Sequence, residues 1–155
     1  MSEHCETLWR EVPFGSICSR IVNGGTPATG NPAYWNGDIP WITGADFTQH
    51  GIGEFRRYVS SLGIRSSATS VVQQGNLLVV TRTGVGKLAI APCDIAISQD
   101  ITGVYLDSSR VDAKFVYHLL GKELNELKKL NQGTSINGIV RSDLERHFVR
   151  LPISK

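Results

Sequence analysis

A glycine-rich segment near the middle of the chain combines a flexible backbone with positive charge. Its sequence is Arg82-Thr-Gly-Val-Gly-Lys87. Glycines let backbone N–H groups approach an anion closely, and flanking cations attract phosphate. The segment is not a nucleotide-hydrolysing phosphate loop, because that pattern needs a glycine at Thr81 and a serine or threonine at Leu88. It predicts either a turn that contacts phosphate or a simple tight turn between two strands.

The charge distribution places this segment in the part of the chain with the highest net positive charge. Residues 55–93 contain five cations and no Asp or Glu, whereas residues 1–54 contain six acids and two bases. The five cations are Arg56, Arg57, Arg65, Arg82 and Lys87. Positive charge without acidic neighbours in sequence attracts a polyphosphate such as nucleic acid. The alternative is that carboxylates from elsewhere in the chain pair with these side chains in space.

Amide side chains in loops could read bases. Gln99, Asn131 and Gln132 fall in segments expected to be loops. A side-chain amide can bond adenine through two hydrogen bonds, as arginine can bond guanine. Amides are also ordinary turn residues, so a purely structural role is the alternative for each.

The remaining reactive residues are scattered. Cys5, Cys18 and Cys93 are odd in number and widely spaced, which argues against a disulfide framework or a zinc site. No spacing suggests a catalytic triad or a metal centre. Residues 1–10 do not form a signal peptide and no apolar run is long enough to span a bilayer, so we expect a cytoplasmic protein without membrane contact.

One short loop suggests a different chemistry. Asn31-Pro-Ala-Tyr34 resembles the Asn-Pro-Pro-Tyr loop with which amino-methyltransferases hold a flipped adenine. The glycine-rich strand–turn–helix that binds S-adenosylmethionine is missing from the sequence, which favours a loop anchor. A minimal nucleic-acid methyltransferase is kept as an alternative, and so is a protein-interaction domain built on the aromatic residues of segment 34–47.

The elements that must position these residues are mostly short strands. Alternating or continuous apolar residues between turn signals predict strands at 9–13, 38–43, 77–81, 88–91, 95–98, 101–106 and 148–151. Residues 77–81 and 88–91 form a hairpin around the glycine-rich turn. Residues 14–22 predict one or two helical turns, and residues 23–37 an ordered loop.

A leucine-rich pattern predicts one substantial helix. It begins near Asp112 as N-cap and carries apolar residues at spacings of three and four as far as Leu130, with Gly121 as a break between two segments. A last short helix is expected near Ser142. The predicted fold is α+β, a single domain over residues 1–155, with a twisted, mostly antiparallel, partly barrel-like sheet of short strands and a helical layer.

Taken in order, seven short motifs resemble one family, the target-recognition domain of the specificity subunit of type I restriction–modification systems. The resemblance covers about residues 9–152. The motifs are Trp9-x-x-Val-x-Phe-Gly15, Gly24-Gly-Thr-Pro27, Tyr34-Trp35 with Ile39-Pro-Trp-Ile42, Thr83-Gly-Val-Gly-Lys87, Ile97-Ser-Gln-Asp-Ile101, Gly133-Thr-Ser-Ile-Asn137 and Asp143-Leu-x-x-x-x-Val-x-Leu-Pro152.

The resemblance implies a non-catalytic module that recognises a sequence in double-stranded DNA. It implies as partners a methyltransferase subunit, which would bind S-adenosylmethionine, and an endonuclease subunit; this chain would bind no cofactor or metal itself. The family's helical spacer and second recognition domain are expected to be absent, because the sequence stops at Lys155.

The residues and the resemblance together predict a DNA-facing surface of loops and strand ends. We expect Arg56, Arg57, Arg65 and Lys87 to contact mainly phosphates, and Arg82, Thr83, Gln99 and Gln132 to reach base edges. Gly84 and Ser135 complete the expected set, within the glycine-rich turn and the Gln132–Ser135 loop.

Overall fold

Short strands dominate the computed structural model, which describes residues 9–49, 51–82, 86–130 and 141–152 of the 155-residue chain. Among these residues the α-helices are α1 (Ser61–Arg65), α2 (Ala113–Leu130) and α3 (Arg141–Arg146). The strands are β1 (Trp9–Pro13), β2 (Cys18–Asn23), β3 (Ile39–Ile42), β4 (Phe47–Thr48), β5 (Gly51–Ile52), β6 (Tyr58–Val59), β7 (Ser70–Val72), β8 (Leu77–Val80), β9 (Leu88–Ile90), β10 (Ile95–Ile97), β11 (Ile101–Leu106) and β12 (Phe148–Pro152).

The described strands form two four-stranded sheets and two strand pairs. The sheets have the orders β6-β3-β10-β7 and β2-β11-β8-β9, and the pairs are β1-β12 and β4-β5. Every neighbouring pair is antiparallel except β3 with β10, which is parallel. The predicted α+β class with a mostly antiparallel sheet is therefore confirmed, although these strands do not close into a barrel.

Strand β8 separates two apolar clusters, which explains its unbroken hydrophobic sequence. Successive side chains of a strand point to opposite faces of the sheet. Leu77 and Val79 pack in the cluster that contains α2, whereas Leu78 and Val80 pack in the cluster shared with the other four-stranded sheet. All four side chains are fully buried. The strand thus joins both halves of the core.

Helix α2 forms the expected leucine-rich layer, and Gly121 does not break it. A carboxylate oxygen of Asp112 accepts a hydrogen bond from the backbone N–H of Phe115 at 3.3 Å, so Asp112 caps the helix as predicted. A glycine inside a helix costs about 1 kcal/mol relative to alanine. Burial of Leu120 and Leu124 on either side of Gly121 outweighs that cost, since each buried leucine contributes about 1.5–3 kcal/mol.

The segment after β1 differs from the prediction. Residues 14–17 form a single 3-10 turn, and residues 18–23 form β2 instead of continuing as a helix. Strand β2 pairs with β11 from Thr102↔Asn23 to Leu106↔Cys18. Its burial pattern lacks the strand alternation, with Ser19 and Arg20 both exposed, so pairing with a distant strand decides its conformation.

The first and last described strands form the pair β1-β12, and α3 packs against the turn after β1. The last short helix and final strand agree with the prediction. No helix in the described part of the chain has both the length and the apolar character needed to cross a membrane.

Candidate nucleic-acid interface

Loops that follow several strands emerge at one edge of the molecule. Strands β3 and β10 run in parallel, so the segments after Ile42 and Ile97 leave at the same end. The end of β8 pairs with the start of β11 through Val80↔Ile101. The end of β2 also pairs with the start of β11, through Asn23↔Thr102. We call this the loop edge. It comprises residues 24–26, 43–46, 56–57, 81–82, 86–87 and 98–100.

Backbone hydrogen bonds tie these loops to one another. The N–H of Gly25 donates to the carbonyl of Ile97 at 3.1 Å, and the N–H of Ser98 donates to the carbonyl of Ile42 at 3.0 Å. The N–H of Thr81 donates to the carbonyl of Asp100 at 2.8 Å. The loop edge is therefore built as one unit, and side chains from distant parts of the chain keep fixed relative positions.

Arg82 and Gln99 lie next to each other on this edge. The backbone N–H of Arg82 donates to the carbonyl of Asp100 at 3.3 Å, which places the root of Arg82 beside the turn that carries Gln99. The hydroxyl of Thr26 donates to Oε1 of Gln99. The amide of Gln99 keeps its NH₂ donors and a second lone pair on Oε1 for another partner. Both predicted base-reading side chains are exposed.

Lys87 lies across the hairpin from Arg82 and is also exposed. The N–H of Val80 donates to the carbonyl of Lys87 at 2.9 Å, which holds the backbone of Lys87 at the end of β8. Within the described residues, neither Arg82 nor Lys87 forms an ion pair. Their charges can therefore act on a ligand without an acidic neighbour in contact.

Arg56 has an acidic partner, so for this one of the five cations the alternative holds that a carboxylate from outside the segment pairs with it in space. Its Nε lies 2.6 Å from Oδ1 of Asp46. Burial of Asp46 favours a raised pKa, but the hydrogen bonds from Arg56 and from Thr43 outweigh it and hold the pKa of the carboxyl below 3.8. The same contact raises the pKa of Arg56. A carboxylate ten residues away in sequence, outside the acid-free segment, supplies the partner.

Arg57 is held by aromatic rings instead of an acid. Its Cζ lies 5.3 Å from the ring centroid of Trp41 and 5.9 Å from that of Trp35. The indole N–H of Trp41 donates to the carbonyl of Gly25, which attaches this stack to the loop edge. A cation–π contact orients the guanidinium but leaves its charge uncancelled. Arg56 and Arg57 open together onto a cleft of about 540 Å³.

The other predicted site residues are not joined to this group by the described contacts. Arg65 is exposed at the last position of α1, which packs against the 3-10 turn Pro32–Tyr34. No hydrogen bond or ion pair among the described residues places its side chain at the loop edge. Thr83, Gly84, Gln132 and Ser135 lie outside the described residues.

Three contacts at the loop edge were not predicted from the sequence: Asp46 with Arg56, Thr26 with Gln99, and Trp41 with Arg57. A signal existed for the first. Thr43-Gly-Ala-Asp46 has the spacing of a capping box, and the structure forms that box. The side chain of Thr43 accepts a hydrogen bond from the backbone N–H of Asp46, and the carboxylate of Asp46 accepts one from the backbone N–H of Thr43. The sequence therefore indicated that Asp46 has a fixed position, although it did not indicate that Arg56 is its partner.

The Asn31–Tyr34 loop has a structural role in this chain. Oδ1 of Asn31 accepts a hydrogen bond from the N–H of Ala33 at 3.0 Å and caps the 3-10 turn. The hydroxyl of Ser60 donates to the carbonyl of Ala33 at 2.6 Å, and the N–H of Ser60 donates to the carbonyl of Tyr34 at 2.9 Å. These contacts anchor the loop to the start of α1, as the loop-anchor interpretation predicted.

Residues 6–155 match the family model described as the type I restriction modification DNA specificity domain. The chain belongs to this family. The match covers nearly the whole sequence and includes every segment of the loop edge. It confirms the resemblance found in the sequence motifs.

The chain is also similar to individual proteins. The chain is 24% identical to the specificity subunit of the type I restriction enzyme MjaIX from Methanocaldococcus jannaschii, over 95% of this chain and 38% of the relative. Its fold matches a chain from a structure concerned with complex assembly and conformational transition of the type I restriction–modification system, with a TM-score of 0.75, 23% identity and coverage of 97% and 36%. The HsdS subunit from Thermoanaerobacter tengcongensis gives a TM-score of 0.71 with 22% identity, over 97% of this chain and 34% of that subunit. The chain thus spans little more than a third of the length of these relatives.

Proposed function

We propose that this chain recognises one DNA sequence element through the loop edge and acts as a specificity component without catalysing a reaction. The observation that carries the proposal is the placement of Arg82, Gln99, Lys87 and Arg57 on one rigid edge, in a chain of the DNA specificity domain family. Positive side chains supply affinity for the phosphate backbone, and directional donors and acceptors supply the sequence preference.

The side chains divide by the kind of contact that each can make. Lys87, Arg57 and Arg65 carry charges that no acid among the described residues cancels, which suits phosphates. Arg82 and Gln99 suit base edges in the major groove, since both can form two parallel hydrogen bonds. Thr83, Gly84, Gln132 and Ser135 stay predictions for the same surface. Arg56 differs because Asp46 balances its charge.

The partners follow from the family. We propose that the chain, or the longer subunit of which it corresponds to about a third, assembles with a methyltransferase subunit and an endonuclease subunit of a type I system. In such an assembly the methyltransferase subunit would hold S-adenosylmethionine. A cytoplasmic location follows from the DNA partner.

The test uses the chain assembled with its methyltransferase partner. Selection from a randomised duplex library gives the preferred sequence, and fluorescence anisotropy gives Kd for that duplex and for single-base variants over a series of salt concentrations. Lys87→Ala is expected to weaken binding to all duplexes alike and to reduce the slope of log K against log salt by about 0.9. Arg82→Ala is expected to relax the preference at one base pair by about 1–3 kcal/mol.

Lys114→Ala is the matched control, because Lys114 is exposed at the start of α2, on an element outside the loop edge. It should bind like the parent. If Lys87→Ala and Arg82→Ala also bind like the parent, the loop edge is not the DNA-binding surface. Binding of S-adenosylmethionine by the isolated chain, measured by calorimetry, would contradict the non-catalytic role.

A further inference from the structure

Two adjacent arginines at the loop edge are held in opposite ways, and this difference assigns them different roles. Arg56 pairs with a buried acid, whereas Arg57 lies over two indole rings. We propose that Arg56, oriented by Asp46, reads a base edge, and that Arg57 contacts phosphate. This proposal rests on the DNA recognition proposed above and names a specificity-determining residue that the sequence had suggested only as a phosphate contact.

Asp46 is a rigid anchor for the guanidinium. Its side chain is only 6% exposed, although the side chain of Arg56 is 56% exposed. Oδ2 of Asp46 accepts hydrogen bonds from the N–H of Thr43 at 2.8 Å and from its hydroxyl at 3.3 Å. Oδ1 accepts from Nε of Arg56 at 2.6 Å. Both carboxylate oxygens are therefore occupied, and the acid cannot rotate away from the arginine.

The pair is a poor phosphate contact because its net charge is zero. A phosphate near Arg56 would feel the attraction of the guanidinium and the repulsion of Asp46 at a similar distance. The affinity that a cation gains from a phosphate depends on neutralising charge and releasing counterions. Arg56 has already lost most of that capacity to its own carboxylate.

The same pairing leaves Arg56 well suited to read a base. A guanidinium has five N–H donors, and the contact with Asp46 uses the one on Nε. The four donors on the two terminal nitrogens have no hydrogen-bond partner among the described residues, and the two that point along the end of the guanidinium can bond O6 and N7 of guanine in parallel. Because the side chain is already held, binding costs less side-chain entropy than it would for a free arginine.

Arg57 provides the internal comparison. The rings of Trp35 and Trp41 orient its guanidinium without contributing a negative charge. Its full positive charge is available to a phosphate beside the base that Arg56 contacts. Two neighbouring residues of the same type therefore give separable effects, one on sequence preference and one on salt dependence.

The experiment measures binding of the assembled complex to the selected duplex and to its single-base variants, with three substitutions. Arg56→Lys keeps the charge but replaces the rigid planar guanidinium with a single flexible ammonium group, so discrimination at one G·C pair should fall by roughly 5-fold or more. Asp46→Asn should reduce discrimination at the same pair by roughly 2- to 12-fold, because Arg56 loses its anchor. Arg57→Gln should weaken binding to every duplex and lower the salt slope by about 0.9, with discrimination unchanged.

The opposite result is expected if Arg56 contacts phosphate. Arg56→Lys would then keep the discrimination of the parent, and Asp46→Asn would strengthen binding to all duplexes alike, with no loss of discrimination, because it removes a negative charge. Either outcome overturns the proposal. Arg56 is exposed, so Arg56→Lys remains informative even if Asp46→Asn folds poorly. If the parent complex shows no sequence preference at all, the proposed function fails, whereas a parent with clear preference and an unaffected Arg56→Lys refutes this inference alone.

Discussion

Substitution of Gly24 by alanine is expected to lower the free energy of unfolding by about 2–4 kcal/mol, because there is no room for a side chain at this position. An added Cβ would lie 2.1 Å from the carbonyl oxygen of Ser98 and 2.5 Å from that of Ile97. Both are backbone atoms at the end of β10, so neither can rotate away. The loop must retreat from the sheet by at least about 1.3 Å to restore ordinary van der Waals contact.

The magnitude follows from two effects of that displacement. Forcing an extra carbon into a filled site typically costs about 1–3 kcal/mol. The hydrogen bond from the N–H of Gly25 to the carbonyl of Ile97, 3.1 Å long, would be lost or weakened at about 1 kcal/mol. For a chain of this size the total corresponds to a decrease in Tm of roughly 4–16 °C.

Thermal and urea denaturation followed by circular dichroism measure this change. Gly30→Ala is the matched control in the same loop, because an added Cβ there would meet no atom within 4 Å. The control should unfold at or slightly above the parent, since alanine restricts the unfolded chain. A Gly24→Ala variant that unfolds together with Gly30→Ala would show that the 24–26 loop does not pack on β10 as described.

The same substitution has a functional consequence. Retreat of the 24–26 loop from the carbonyls of Ile97 and Ser98 moves Thr26 and disturbs its contact with Gln99. In the assembled complex we expect Gly24→Ala to lose sequence preference while the salt slope set by Lys87 and Arg57 is kept. Loss of both together would indicate general unfolding of the loop edge.

Two further predictions concern titrating groups. The pKa of Asp46 is lowered in the folded state, so the folded chain binds this proton less tightly than the unfolded chain. The Asp46–Arg56 pair therefore stabilises the folded chain fully above pH 3.8. This contribution to the free energy of unfolding is lost as pH falls through the lowered pKa. Urea midpoints of the parent and of Asp46→Asn should differ at neutral pH and converge in acid, and a difference independent of pH would contradict this. Burial, with a smaller effect of Glu145, raises the pKa of the Cys18 thiol to about 12. Because the thiolate is the reactive form, alkylation of Cys18 at pH 8 should be roughly a thousandfold slower in the folded chain than in urea. Mass spectrometry of the peptides measures the two rates. Equal rates in the two states would refute that account of Cys18.

Local sequence patterns were sufficient for several elements of the fold. The hairpin of β8 and β9 and the helix α2 were predicted because their residues carry strong periodicity bounded by turn or capping residues. These signals lie within one element and need no knowledge of the rest of the chain. Strand β2 lacked such a pattern, because its conformation depends on β11, some 80 residues later.

The candidate site shows the same division. Its cations and amides, among them Arg82, Lys87 and Gln99, were identified from residue type and from the absence of acids in their segment. The contacts that these residues make were not predicted. Thr26 and Gln99 are 73 residues apart and Arg56 and Asp46 ten apart, distances over which sequence spacing does not specify geometry.

The sequence by itself therefore determined the chemical inventory of this protein, its class of fold and its family, because charge, hydrophobic period and ordered motifs are properties of short segments. Only the tertiary structure decided which charge stays free and which is balanced. Antiparallel pairing of β3 with β6 brings Asp46 to Arg56, and the packing of Trp35 and Trp41 holds Arg57. Electrostatic and hydrogen-bonding roles depend on distances of a few ångströms, and only the folded chain sets distances on that scale.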